Sequence, residues 1–207
     1  MSGHSILPPL DSALLIFVKN PVKGRVKTRI ALTAGPDKAL DIYLALQQRT
    51  RQTSLAVPAE RYLYYSDWIA TDDEWPSAHF HKRLQSKGDL GARMHEALAE
   101  ALTLPKKAIL IGSDIPLLTP GIIAEAFHQL DHHDLVIGPA GDGGYYLIGL
   151  TRPAPELFNG MAWSTPSVFE ETIRRAEALG LSWFAGPELP DIDYLEDWEK
   201  YGWPLTE

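Results

Sequence analysis

A short basic segment is the densest chemical feature of the sequence. Five cations and one glycine lie within residues 19–29 with no acid among them: Lys19, Lys23, Gly24, Arg25, Lys27 and Arg29. The segment follows an apolar run typical of a strand and precedes a helical pattern, so backbone amides and a helix dipole would face an anion there. Lysine adds a point charge and arginine a two-toothed fork for phosphate. We predict that this basic loop binds a nucleotide phosphate, although it matches neither a Walker loop nor Gly-x-Gly-x-x-Gly. The alternative is a solvated surface turn.

A second candidate is Asp114, which follows the apolar run at residues 108–111. A carboxylate in that position is typical of a ligand-facing sheet edge. Mg²⁺ prefers carboxylate oxygens together with substrate phosphates and waters, and Asp114 can supply the first carboxylate. The neighbouring Gly112 leaves room for a ligand. An Asx-turn or helix cap before Pro116 is the alternative interpretation.

A third candidate is the glycine-rich segment at residues 138–146, in which Asp142 is surrounded by Gly141, Gly143 and Gly144. Glycines permit a positive φ and let a ligand approach the backbone. Asp142 is therefore predicted to hold a sugar hydroxyl, bind the metal or act as a base. A simple glycine-rich hairpin is the alternative.

Two further segments complete the predicted site. Trp163 and Ser164 precede a helix start, and we expect them to line a substrate pocket with Gly143 and Gly144. In the acidic tail, Asp191 and Asp193 lie two residues apart, so they point the same way in an extended chain. Either could complete a carboxylate pair with Asp114; a solvated acidic terminus is the alternative.

The elements that must position these residues alternate along the chain. Seven strand-like runs are separated by helical patterns, with Asp89 and Thr119 as predicted N-caps. The runs are residues 14–18, 61–66, 80–85, 108–111, 135–138, 145–150 and 182–185. We predict one α/β domain over residues 1–207, Rossmann-like, with a mostly parallel sheet and helices on both faces. Ligands of such sheets bind beyond the carboxyl ends of the strands.

Composition narrows the possible functions. The 207 residues include no cysteine, which excludes disulfides, thiolate metal sites and thiol catalysis. A net charge of −8 argues against general nucleic-acid binding. The longest apolar runs are too short to span a bilayer, and the first residues do not form a secretory signal. We therefore expect a cytoplasmic protein.

Six segments together resemble a bacterial family of GT-A-type nucleotide-diphospho-sugar transferases. They read FVKNPVKGRVKTR at residues 17–29, GDLGARM at 88–94, GSDIPL at 112–117, GPAGDGGYYLIGL at 138–150, WST at 163–165 and DID at 191–193. The family is also labelled a domain of unknown function or an arsenosugar-biosynthesis-type glycosyltransferase. The resemblance implies a GT-A fold, a nucleotide-bound donor, and Mg²⁺ or Mn²⁺.

The segments are more distantly similar to molybdenum-cofactor and phospholactate guanylyltransferases. Many metal-dependent glycosyltransferases carry Asp-x-Asp after the central strand, whereas this sequence has Asp114 alone. That departure is closer to the nucleotidyltransferases, whose second ligand comes from the C-terminal part. Asp193 would fill this place.

The sequence therefore predicts a metal-dependent transferase, with Asp114 and Asp193 holding the metal and Asp114 and Asp142 in catalytic roles. Its partners would be a nucleotide sugar or a nucleoside triphosphate, plus an unspecified acceptor. Glycosyl transfer from a nucleotide-diphospho-sugar is favoured over nucleotidyl transfer with release of pyrophosphate. A non-catalytic nucleotide sensor is a third hypothesis, but it would need no metal carboxylates.

Overall fold

A computed structural model describes residues 11–103 and 106–205. Within these residues one seven-stranded sheet has the order β3-β2-β1-β4-β6-β5-β7. The strands are β1 (Ser12–Val18), β2 (Glu60–Tyr65), β3 (His81–Leu84), β4 (Lys107–Ile111), β5 (Leu135–Pro139), β6 (Tyr145–Leu150) and β7 (Trp183–Ala185). All seven predicted strands are thus present.

Six α-helices of the described residues flank the sheet. They are α1 (Thr28–Ala34), α2 (Pro36–Leu55), α3 (Leu90–Ala101), α4 (Pro120–Gln129), α5 (Val168–Ala178) and α6 (Leu195–Tyr201). The predicted N-caps are confirmed: Asp89 accepts a hydrogen bond from the Ala92 amide, and Thr119 accepts one from the Ile122 amide. In the described part of the chain, no helix is long and apolar enough to cross a membrane.

The sheet has helices on both faces, as predicted. Alternate residues of β1 point to opposite sides, because side chains along a strand alternate. Leu14 and Ile16 join a core that includes Ile123 and Phe127 of α4. Leu15 lies in the opposite core, against Met94 and Leu98 of α3. The hydrophobic residues of both layers are almost completely buried.

One strand breaks the parallel pattern. β6 runs antiparallel to both of its neighbours, β4 and β5, whereas every other strand pair is parallel. Residues 140–144 are too few to form the crossover that a parallel connection needs, so β5 and β6 form a hairpin. The hairpin interpretation of the glycine-rich segment is therefore correct for the backbone.

Two helices were not predicted from the sequence. α1 begins at Thr28, within the basic loop, and α6 lies in the tail, for which a solvated acidic terminus was the alternative interpretation. They pack with α2 in a third core that buries Ile30, Ile42, Ile192 and Trp198. The tail is thus not a freely solvated terminus. The predicted start of α5 at Thr165 was also too early: Ser164 has φ 62°, outside the helical region, and the helix begins at Val168.

Candidate functional site

The candidate site lies where β1 and β4 end side by side. These strands pair in parallel, with Ile16 opposite Ile111, so the basic loop and Asp114 leave the same edge of the sheet. The C-terminal segment passes this edge, since the Ile192 amide donates to the Asp114 carbonyl at 3.1 Å. Tertiary structure thus brings together three segments that are distant in sequence.

Side chains of α2 form hydrogen bonds with the backbone at the start of the basic loop. The Lys19 amide donates to the Tyr43 hydroxyl at 2.8 Å, and that hydroxyl donates back to the Lys19 carbonyl at 2.9 Å. Gln47 also donates to this carbonyl. The buried Asn20 side chain links the loop to the backbone of Asp67 and Trp68. Contacts within the protein therefore hold the first two residues of the loop.

Lys27 lies between two carboxylates. Its Nζ is 3.0 Å from Asp114 Oδ2 and 3.6 Å from Asp193 Oδ1, and only 7% of the side chain is exposed. Burial works to lower the pKa of Lys27, but Asp114, Asp193 and Asp191 outweigh it and raise the pKa above its ordinary value. Lys27 is thus a charged ammonium that neutralises the carboxylates. Asp114 and Asp193, predicted to share one ion, face one nitrogen atom.

The position of Asp193 depends on α6. The Asp193 and Tyr194 amides donate to Asp197 at 3.1 and 2.7 Å, which ties the segment to the first turn of the helix. Asp193 also forms an ion pair with Arg29, whose guanidinium lies over the Tyr194 ring. These contacts orient Asp193 toward the basic loop.

A cavity of about 560 Å³ opens between the basic loop, α3 and the ends of β1 and β4. We call it the cationic compartment. The positively charged side chains that line it are Lys19, Arg25, Lys27, Arg29 and Arg93. Asp114 and Asp193 are its carboxylates. Arg93 was not among the predicted site residues, although it lies in the GDLGARM segment.

Two residues of the predicted phosphate site lie elsewhere. Lys23 pairs with Asp37 at 2.5 Å and does not line the cationic compartment. Gly24 does not line it either; its φ of 78° allows the turn in which the Arg25 amide donates to the Val22 carbonyl. Arg25, Lys27 and Arg29 are therefore brought to the cavity, whereas Lys23 and Gly24 shape or flank the loop.

A second cavity of about 220 Å³ adjoins the first and shares Asp114 and Tyr145 with it. We call it the acidic compartment. Its charged lining residues are Asp114, Asp142 and Asp191, and no lysine, arginine or histidine of the described chain lines it. Gly144, Trp163 and Ser164 contribute to its wall.

Gly143 does not line this compartment, but it allows two segments of the compartment wall to pack closely. Its φ is 86°, and a Cβ at this position would lie 2.1 Å from the Pro166 carbonyl oxygen. The Gly143 carbonyl accepts a hydrogen bond from the Phe169 amide at 2.9 Å. The missing side chain thus allows the hairpin to contact the segment that carries Trp163 and Ser164.

Trp163 packs into the wall by a similar close approach. A Cβ on Gly91 would lie 2.5 Å from the Trp163 ring, and the ring meets Tyr145 edge-on at 6.4 Å between centroids. Burial raises the pKa of the Tyr145 hydroxyl. This hydroxyl has no hydrogen-bond partner among the described residues.

Asp142 and Asp191 give the acidic compartment its electrostatic character. The Asp142 carboxylate accepts a hydrogen bond from the Gly144 amide at 2.8 Å, a local contact of the Asx-turn type. Asp142 also lines the acidic compartment. Burial, followed by repulsion from Asp114, Asp193 and Asp142, raises the pKa of Asp191 to about 6. The two-residue spacing in the tail was the sequence signal for Asp191. It did not show that Asp191 and Asp193 serve different cavities.

The carboxylates suit a metal that arrives with its substrate. Among the described residues, no group of three histidine, cysteine or acidic side chains could hold a metal ion. Mg²⁺ is commonly held by one or two carboxylates, with phosphates and waters completing its shell. Asp114 and Asp193 fit that requirement, and Lys27 balances their charge.

The sheet order and the cleft define an α/β protein of the GT-A and nucleotidyltransferase type. A family described as "uncharacterized protein conserved in bacteria (DUF2064)" matches residues 43–165, and the chain belongs to this family. The predicted resemblance to GT-A-type nucleotide-diphospho-sugar transferases is confirmed. Curated protein sequences give no significant match.

A crystal structure from Desulfovibrio desulfuricans G20, provisionally named a nucleotide-diphospho-sugar transferase, is 33% identical. The match covers 89% of this chain and 83% of that one, with a TM-score of 0.83. The inositol-1-phosphate CTP transferase of T. maritima is 13% identical, covers 92% of each chain and has a TM-score of 0.58. Rv0371c of Mycobacterium tuberculosis H37Rv, in complex with manganese, is 11% identical over 92% of this chain and 96% of that one, with a TM-score of 0.55.

Proposed function

We propose that this protein is a metal-dependent transferase that uses a nucleotide donor. The observation that carries the proposal is the cationic compartment, in which five cationic side chains and the carboxylates of Asp114 and Asp193 line one cavity. Phosphate oxygens need cations and backbone donors, and a divalent metal needs carboxylates. A non-catalytic sensor needs the cations only, so the carboxylate pair favours the enzyme.

In the proposed mechanism the chain positions the phosphates and balances their charge. Lys19, Arg25, Arg29 and Arg93 bind phosphate oxygens. Asp114 and Asp193 would hold Mg²⁺ or Mn²⁺, which would supply charge stabilisation for the leaving phosphate. Lys27 balances the charge of the two carboxylates and lines the cavity in which the phosphates would bind. Asp142 orients the acceptor or takes its proton.

Glycosyl transfer from a nucleotide-diphospho-sugar is the favoured reaction, supported by the name of the 33% identical relative. Nucleotidyl transfer is the alternative. It is favoured by the lone Asp114 after β4, and fold neighbours named for CTP share the architecture. The products separate the two reactions: a nucleoside diphosphate leaves in the first and pyrophosphate in the second.

The decisive experiment screens nucleotide sugars and nucleoside triphosphates by thermal shift, with Mn²⁺, with Mg²⁺ and with EDTA. A ligand that binds only the folded state raises stability by about 2.7 kcal/mol at 100 times its Kd. We expect a metal-dependent shift with at least one nucleotide, followed by release of nucleoside diphosphate in an acceptor screen. Release of pyrophosphate would establish the alternative reaction. Absence of any nucleotide-dependent shift would contradict the proposal.

A further inference from the structure

The acidic compartment differs in charge from the cavity beside it. Asp114, Asp142 and Asp191 line it, and no lysine, arginine or histidine of the described residues does. The one ion pair given for these three carboxylates joins Asp114 to Lys27, which lines the cationic compartment. A phosphate or carboxylate group placed in this cavity would lie at short range from the carboxylates of Asp142 and Asp191 and would be repelled by them.

The cavity is built to accept hydrogen bonds from a ligand. An ionised carboxylate has no proton to donate, so Asp142 and Asp191 are matched by hydroxyl or amine donors. The hydroxyl-bearing residues Ser164 and Thr165 also line the cavity and can donate or accept hydrogen bonds there.

We propose that the acidic compartment is the acceptor subsite, and that it selects a small acceptor with several hydroxyl groups and no phosphate or carboxylate. The inference rests on the proposed function and specifies its second substrate. Asp114 belongs to both cavities, so an acceptor in one lies beside the donor phosphates in the other. The cavity volume of about 220 Å³ suits a small polyol or a single sugar.

The step balances without a further reactant. In the favoured reaction the acceptor hydroxyl oxygen forms a bond to the anomeric carbon of the donor sugar. The bond from that carbon to the phosphate oxygen breaks, and the nucleoside diphosphate leaves with the electron pair. The hydroxyl proton passes to the carboxylate of Asp142 and then to water.

Matched acceptor pairs test the inference. Donor binding is measured first, without acceptor, by titration calorimetry with the nucleotide sugar and metal selected in the screen. Release of nucleoside diphosphate is then followed with glucose against glucose 6-phosphate, glucose against glucuronate, and glycerol against glycerol 3-phosphate. The neutral member of a pair is expected to stimulate release at least about tenfold more than its anionic counterpart.

A binding readout that is independent of turnover uses Trp163. The neutral acceptor should change tryptophan fluorescence in the donor-saturated protein, and Trp163→Phe should lose most of that change. Asp191→Asn should reduce several-fold the ratio of stimulation by the neutral acceptor to stimulation by its anionic counterpart. The control Glu177→Gln/Glu199→Gln, which removes two exposed charges outside both compartments, should leave the preference unchanged.

The outcomes separate this inference from the proposed function. If the donor binds but the anionic members stimulate release equally well, the acceptor class is wrong and the transferase proposal stands. If no acceptor changes either donor turnover or Trp163 fluorescence, the acidic compartment is not the acceptor subsite. If no nucleotide binds in the first measurement, the proposed function itself fails, and the inference fails with it.

Discussion

The two compartments of the cleft share a wall but are built in different ways. The cationic compartment is assembled around a loop whose charges are local in sequence, and α2 anchors that loop through Tyr43 and Gln47. The acidic compartment takes its carboxylates from three segments: the ends of β4 and β5, and the tail. It depends on close backbone approaches at Gly91 and Gly143. We therefore expect single substitutions in the framework to disturb the acidic compartment more than the cationic compartment.

The largest expected loss of nucleotide affinity comes from substituting Asp114, which lines both compartments, or Asp193, which lines the cationic compartment. Asp114→Asn and Asp193→Asn keep the side-chain shape but remove the charge that holds the metal and balances Lys27. We expect each to reduce metal-dependent nucleotide affinity by about 100-fold or more, because metal and phosphate binding are lost together. Calorimetry with Mn²⁺ checks this, with Glu177→Gln as a control for charge alone. Unchanged affinity in both variants would rule out a metal site formed by these two carboxylates.

The next effect tests how the acidic compartment is held. Gly143→Ala adds a Cβ that would lie 2.1 Å from the Pro166 oxygen, at a backbone φ of 86°. Backbone strain and overpacking together should cost about 2–5 kcal/mol of unfolding free energy. Gly160→Ala is the matched control, since Gly160 has φ 63° and nothing within 4 Å of the added Cβ. It should cost only about 1–2 kcal/mol. Equal losses in urea unfolding would show that the contact with Pro166 does not matter.

A third pair of variants tests the cationic compartment. Arg25 lines the cavity, whereas Lys23 pairs with Asp37 outside it. Arg25→Ala should weaken nucleotide binding by about 1.5–3 kcal/mol through lost charge-assisted hydrogen bonds, without affecting the fold. Lys23→Ala removes one positive charge from the same loop and should change affinity by much less. A loss that is similar in the two variants would mean that the loop acts only through its total charge.

The smallest effect concerns pH and Asp191. Its pKa of about 6 lies above the ordinary 3.8, so the folded protein binds more protons than the unfolded chain between these values. Stability should therefore fall as pH rises from 3.8 to about 6, and the deficit should persist above that range. Asp191→Asn removes the titration and should raise Tm above pH 6 in EDTA, by about 2–4 °C for each kcal/mol regained. The difference should vanish below pH 3.8; an unchanged or lower Tm at pH 7 would contradict the assigned repulsion.

Much of the fold could be predicted because most of its strands and helices have recognisable short sequence patterns. Short strand-like runs, several of them apolar, gave the seven strands, and helical spacing with helix-start signals gave the helices α2 to α5, with Asp89 and Thr119 as N-caps. The helices α1 and α6 were missed. Each has only seven residues, and both are stabilised by burying Ile30 and Trp198 in a shared core rather than by intrinsic propensity. The antiparallel direction of β6 was missed as well, although its short connection to β5 was visible in the sequence.

The sequence by itself determined the residue types of the cleft. It supplied cations after the first strand, a single aspartate after β4, glycines around Asp142 and two aspartates in the tail. Only the tertiary structure decided which of them meet. Lys27 forms ion pairs with Asp114 and Asp193, whereas Lys23 pairs with Asp37 outside the cavity. Asp191 lines a different cavity from Asp193. The physical reason is that residue type and the succession of strands and helices along the chain are local properties, whereas the direction of a side chain depends on contacts between distant segments. Here those contacts are the hydrogen bond from Ile192 to Asp114 and the cap that Asp197 provides.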